Sequence, residues 1–286
     1  MSTGGGSAWA GVRRVLLTLS GVVVAGAVIL VAAVLWQLHD LTTVPPAPDA
    51  SALARAADTR AARDRAVAFA DEQTGLVRAA APWAEALDSS VADLCEARAA
   101  SGSFGSKPVW SGVMCRRTTV LYAAFDGEIE PRLAELDRAL AGVGWKPRSG
   151  GRDLVRELHY QHSPGGDASA EQTAEALARP NSVAVDHTRG AGQNSVTLTV
   201  AVADGKGLPR IRGSWDDSST LRGPDAKPYA DGESERVVYQ DWRRVDAEAL
   251  QAKAYANHRY LLAIGVTQLY AAGCPGATCN GSAPSW

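Results

Sequence analysis

The longest hydrophobic stretch runs from Val15 to Trp36, 22 residues without a charge, entered through Arg13 and Arg14. At about 1.5 Å per residue such a helix reaches about 30 Å, the thickness of a hydrocarbon core, with every backbone amide satisfied internally. The pattern predicts a transmembrane helix over 15–38. A cleaved signal peptide shares the basic start, and Pro45 to Ala50 offers small residues for a peptidase, but the apolar segment exceeds the usual signal core of roughly 7–15 residues. The paired arginines are accounted for by membrane orientation without a twin-arginine export signal. After the run the next basic side chain beyond His39 is Arg55, so the positive-inside bias predicts a cytoplasmic amino terminus and an outward-facing remainder.

Three prolines between Val44 and Pro48 read as a stiff spacer. The Ala- and Arg-rich stretch from Ser51 to Gly75 predicts a helix by propensity. A second helix is expected from Pro82 to Ala99, where Trp83, Leu87, Val91 and Leu94 recur at helical spacing behind a proline suited to a first turn. Residues 101–112, rich in Ser and Gly, read as a loop. Cys115 to Phe125 reads as a strand closed by Asp126-Gly127. Ile129, Leu133, Leu136, Leu140 and Val143 then mark a helix, ended by Gly142 and Gly144.

Leu154, Arg156, Leu158 and Tyr160 alternate with Val155, Glu157, His159 and Gln161, which predicts a strand over Asp153 to Gln161. A short helix is expected at Ala170 to Ala178 and an edge segment at Val183 to Asp186. Ser195 to Ala203 is the strongest strand, with Leu208 to Trp215 as its expected hairpin partner across Asp204-Gly205. Residues 216–235 read as an acidic surface loop, Val237 to Trp242 as a short strand and Val245 to Asn257 as a helix. From Tyr260 to Thr267 nearly every residue is apolar; a buried strand and a continuing helix both fit, and the helix is preferred.

These elements give an α+β class: one transmembrane helix followed by an extracytoplasmic two-layer domain of antiparallel sheet with packed helices, with a split βαβ arrangement as the alternative. The expected organisation is a cytoplasmic tail at 1–14, the membrane helix at 15–38, a linker at 39–50, a helical region at 51–100, an α+β exterior domain at 113–273 and a disulfide-containing tail at 274–286.

Composition narrows the partners. Without residues 1–37 the chain carries 27 Lys and Arg against 31 Asp and Glu, a nominal charge of −4, with no basic block interleaved with aromatics. That disfavours nucleic acid. The four cysteines, Cys95, Cys115, Cys274 and Cys279, fall on the expected outer side, where disulfides are the default, and the preferred pairing is Cys95–Cys115 with Cys274–Cys279. Their spacing fits neither a compact zinc site nor a redox pair, so no metal and no cofactor is expected.

Candidate chemistry is sparse. His159 and His162, three apart on the expected strand, would point to opposite faces. Asp186-His187 are adjacent, and Ser163, Ser195 and Ser214 lie outside any Gly-x-Ser-x-Gly elbow. Asp126, Glu128 and Glu130 suit a helix start, and Asp216-Asp217 a turn, although paired carboxylates can also divide acid and base work on a glycoside. Trp110, Trp145, Trp215 and Trp286 are the candidate binding residues, since an exposed indole stacks on a sugar or anchors a peptide. The reading is a single-pass cell-membrane protein whose exterior domain binds a membrane protein, a cell-wall component or a ligand. The alternative is an extracytoplasmic hydrolase of wall glycan or peptide.

Overall fold

The 13 residues of β3 (Val113–Phe125) pair on one side with β1 (Glu85–Ala100) and on the other with β8 (Tyr260–Gly273), and the sheet extends outward from this trio. The computed structural model describes residues 28–36, 39, 46–100, 109–148, 151–163, 169–177, 180–189, 196–205, 207–218, 220–223, 225–232 and 234–275. Beyond β8 follow β6 (Val196–Asp204), β5 (Val183–Arg189) and β4 (Lys146–Pro147). On the other flank β1 takes both β2 (Val109–Trp110) and β7 (Glu235–Arg243). All these pairings are antiparallel.

The helices are α1 (Ala50–Arg55), α2 (Ala57–Ala80), α3 (Ile129–Gly142), α4 (Leu154–His162), α5 (Ala170–Leu177) and α6 (Ala247–Asn257). Val77, Leu133, Leu136, Leu140, Leu154 and Leu158 from α2, α3 and α4 pack on Leu121, Phe125, Leu198, Val200, Leu262 and Ile264 of one sheet face. The opposite face, including Val120, Tyr122, Ala201, Leu261 and Ala263, is covered by Leu250 and Ala254 of α6 and by Ile211. A third cluster, with Ala50 and Ala54 of α1, Trp110 and Val113, surrounds the Cys95–Cys115 disulfide at the far end of the β1–β3 pair.

The α+β class holds, with three corrections to its detail. Among the described residues no helix is long and apolar enough to cross a membrane. Of the span 15–38 the structure describes residues 28–36, which are helical. The rest of that span, residues 15–27 and 37–38, lies outside the described residues. The transmembrane helix, the single-pass topology and the cell-membrane localisation are withdrawn. Helices or irregular chain cover both sheet faces, so the domain has three layers rather than two. The split βαβ alternative needs one strand between the two that a helix connects, whereas β8, β6 and β5 separate β3 from β4, β4 and β5 are direct neighbours, and β1 and β3 separate β7 from β8.

Four elements differ from the sequence pattern, each for a tertiary reason. The expected helix at 82–99 is β1. Its supposed stripe divides between the faces, for Val91 lies opposite Thr119 while Leu94 lies opposite Arg116, and pairing with β3 and β7 outweighs the helix propensity of Ala, Glu and Leu. The expected strand at 153–161 is α4. Asp153 accepts the Arg156 amide at 2.8 Å, and Asp137 accepts those of Leu154 and Val155 at 3.1 and 3.2 Å, so two carboxylates satisfy the helix start while Leu154 and Leu158 share its buried face. The expected helix at 260–267 is β8, a central strand buried on both faces and hence apolar at both parities. Leu208 to Trp215 forms no hairpin strand and instead crosses the sheet face as irregular chain. Cys95 and Cys115 do form a disulfide, and it links two paired strands rather than a helix end to a strand. Cys274 is also disulfide-bonded; Cys279 lies outside the described residues.

Candidate functional site

On the face away from α2 to α4, α6 covers one end of the sheet and the chain from 207 to 218 crosses its middle. Beyond this crossing β5 and β6 are left open. There a groove of about 520 Å³ is lined by Ala184 and Asp186 of β5, Thr199 of β6, and Arg210, Ile211, Arg212 and Asp217 of the crossing. Thr199 lies opposite Asp186 in the ladder and donates its Oγ1 hydrogen to Asp186 Oδ1 at 2.6 Å. Arg210 Nε donates to Asp217 Oδ2 at 2.8 Å. Two carboxylates, far apart in sequence, therefore line one opening, one held by a neutral hydroxyl and the other by a cation.

The crossing is anchored by the residue next to Asp217. Asp216 is 1% exposed and accepts hydrogen bonds from Ser90 Oγ at 2.6 Å, Tyr122 Oη at 2.5 Å and the Val245 amide at 3.2 Å. Burial pushes the Asp216 carboxyl up from its ordinary range, against the opposing pull of these hydrogen bonds. Burial also pushes the Tyr122 phenol far up, and the Asp216 charge adds to that. Trp215 adopts the left-handed region at φ 63°, unusual for a bulky side chain, and its ring meets Tyr229 edge-on at 5.1 Å. Next to it Asp216 is buried, and Asp217 lines the groove. At Gly213, φ 83°, a side chain would crowd Thr118 Oγ1 at 3.3 Å, so the crossing sits directly on the sheet.

A second polar cluster lies between α2 and the sheet. Asp93 is fully buried and accepts from Arg63 Nε at 2.7 Å, Arg117 Nη1 at 3.0 Å and Tyr270 Oη at 2.8 Å, while Arg117 also reaches Asp241 at 3.3 Å. Burial, then the neighbouring Asp93 charge, pushes the Tyr270 phenol up. Several donors converge on one enclosed carboxylate, which suits a structural tie better than a reactive group. The sequence pattern did not reveal it, since Arg63, Asp93 and Arg117 come from three separate elements.

The candidate tryptophans are not brought together. Trp110 and Trp145 are each 2% exposed, the first beside the disulfide and the second bonded through Nε1 to Gln73 Oε1 at 3.0 Å. Trp215 is half-buried in the crossing, and Trp286 lies outside the described residues. His159 is exposed on α4 and meets Glu130 of α3 at 3.2 Å. His187 is buried on the helix-covered face, where burial pushes its imidazole down, whereas Asp186 points to the groove on the other face, as adjacent strand positions must. Ser214 is a buried residue of the crossing, and Ser195 lies outside the described residues. His258 was not singled out by pattern; its Nδ1 meets Asp126 at 2.8 Å and its Nε2 meets Glu85 at 3.2 Å. Among the described residues no group of three or more His, Cys, Asp or Glu is arranged to hold a metal ion.

No family model, curated protein or solved structure matches this chain. The membrane-anchored binding protein expected from the sequence loses its anchor with the correction above, and the functional reading passes to the groove.

Proposed function

We propose that the chain is a hydrolase acting on a hydroxyl-rich, glycan-like substrate in the groove over β5 and β6, with Asp186 and Asp217 as its carboxylate pair. The observation that carries this reading is that those two side chains, one from a strand and one from a separate crossing, line the same open groove. Asp186 accepts from a hydroxyl and Asp217 from a guanidinium, so the two carboxylates stand in different settings. In glycoside hydrolysis one carboxyl protonates the departing oxygen, and the other attacks the sugar or activates water. Arg210, Arg212 and Thr199 supply donors for ring hydroxyls, and Ala184 and Ile211 supply an apolar surface for the C–H face of a sugar ring.

The test is release of reducing ends from a panel of soluble polysaccharides and oligosaccharides by the purified chain, beside Asp186→Asn and Asp217→Asn. Turnover by the wild type that falls about 100-fold or more in each variant, with unchanged melting temperature, supports the reading. Absence of turnover by the wild type, with or without retained binding, overturns it. So does activity that survives both substitutions.

A further inference from the structure

The groove over β5 and β6 holds four charged side chains, Asp186, Asp217, Arg210 and Arg212. Ile211 is buried against Gly265 of β8, while its two neighbours Arg210 and Arg212 are exposed and line the opening together. Arg210 is neutralised by Asp217, Nε to Oδ2 at 2.8 Å, and Asp186 takes the Thr199 hydroxyl at 2.6 Å. Arg212 is left over: among the described residues it makes no hydrogen bond or ion pair, with Asp186, Asp217 or any other group. Arg116 and Arg244, which also adjoin the crossing, are tied down, the first to Glu96 at 3.2 Å and the second to the carbonyls of Gly223 and Asp216 at 3.0 and 3.3 Å.

The imbalance grows when the groove works as a hydrolase. One carboxyl then carries the proton that the departing oxygen receives. Two guanidiniums stand against a single carboxylate, so the opening holds one positive charge more than its own side chains cancel. A neutral sugar can offer Arg212 a hydroxyl oxygen, but it leaves that charge uncompensated. An anionic ring substituent supplies both the missing charge and paired acceptor oxygens for the planar fork of a guanidinium, and such charge-assisted bonds are roughly twice as strong as neutral ones.

We infer that the substrate is an acidic glycan, and that Arg212 selects it by binding a carboxylate or sulfate on one of its sugar rings. The glycan part of this assignment follows from the hydrolase reading, and the anionic part from the uncompensated Arg212. Carboxylate and sulfate offer a guanidinium the same chemistry, a delocalised negative charge with more than one acceptor oxygen.

Tri-galacturonate is compared with its methyl ester, which keeps the sugar skeleton and removes the charge, and a sulfated galactose oligosaccharide with its desulfated form. Binding to the full chain is measured by calorimetry, with reducing-end release followed in parallel. The expected result is about 10-fold or tighter binding of at least one acid than of its neutral counterpart, a ratio that shrinks as ionic strength rises from about 0.05 to 0.5 M. The larger of the two ratios names the substituent. Arg212→Gln brings the ratio close to one and Arg212→Lys restores part of it. Arg156→Gln, which removes a cation from α4 on the other side of the sheet, leaves it unchanged. Absence of turnover together with an Arg212-dependent preference for the acid overturns the hydrolase reading and sustains the anion site. Equal binding of acid and neutral form, binding of neither, or a preference that survives Arg212→Gln overturns the inference, whatever the turnover.

Discussion

Gly265 and Ile211 are packed more closely than any side chain at 265 would permit: a Cβ built on Gly265 would overlap Ile211 Cγ2. Gly265 lies on β8, and Ile211 belongs to the crossing that forms one wall of the groove. The missing side chain is therefore what lets irregular chain lie against the centre of the sheet.

Gly265→Ala is expected to lower stability by about 1–3 kcal/mol, the usual cost of forcing a methyl into a filled interior. Ile211→Ala removes the obstructing methyl, so the double variant should lose less than the sum of the two single losses. Chemical denaturation of all four proteins measures this coupling. Strict additivity would mean that the two residues do not meet in solution.

Asp216 gives a pH-dependent signature. Burial raises its carboxyl in the folded chain above the ordinary value of 3.8, so folding favours the protonated form. The stabilisation it contributes is full below the unfolded value and is lost as pH rises through the folded one. Relative to Asp216→Asn, the wild type should lose stability as pH is raised from about 3.8 and level off above the folded value. Asp216→Ala, which strips an acceptor from Ser90, Tyr122 and the Val245 amide, should cost about 2–4 kcal/mol at any pH. Denaturant midpoints between pH 3.5 and 7 check both, and parallel wild-type and Asp216→Asn curves would contradict the first.

His258 should act in the opposite pH range. Burial by itself lowers its pKa, but the hydrogen bonds and charges of Asp126 and Glu85 outweigh this and hold the imidazole above its ordinary 6.5. A raised histidine stabilises the fold while protonated, fully below the unfolded value, and the contribution disappears as pH rises through the folded one. The clamp joins the end of α6 to the turn after β3 and the start of β1. Melting temperatures at pH 5.5 and 8.5 should show a larger drop for the wild type than for His258→Gln. Equal drops would place the pH sensitivity elsewhere.

What the sequence made legible follows how locally each element is determined. The stripe Ile129, Leu133, Leu136 and Leu140 buries one helix face against one surface, so its spacing carries the answer. β8 and much of β1 are enclosed on both sides, which erases the alternation that would mark a strand. In α4 the alternation of Leu154 with Val155 concealed an i, i+4 pair, and the decisive capping carboxylate, Asp137, sits on the previous helix. The groove is less legible still. Asp186 and Asp217 were each visible as acidic residues beside a histidine and in a turn, but that they line one groove depends on where the crossing lies on the sheet, at Ile211 against Gly265 of β8.

The Cys95–Cys115 disulfide joins directly opposed residues of β1 and β3, a sequence separation of 20, and both cysteines are 0% exposed. Closing a loop of that length restricts the unfolded chain and is worth about 3 kcal/mol in the chain-entropy account. Cys95→Ala with Cys115→Ala should lower unfolding free energy by about 2–4 kcal/mol, with the α1 and Trp110 cluster losing protection first, since it is assembled around the two sulfurs. Because the sulfurs are enclosed, a reductant should reach them only when the β1–β3 end opens, so the rate of reduction should track local unfolding and rise steeply with denaturant. Hydrogen exchange of the double variant and timed alkylation of the wild type measure the two effects. Rapid reduction of the native chain without denaturant would show that this end of the sheet opens far more readily than its packing indicates.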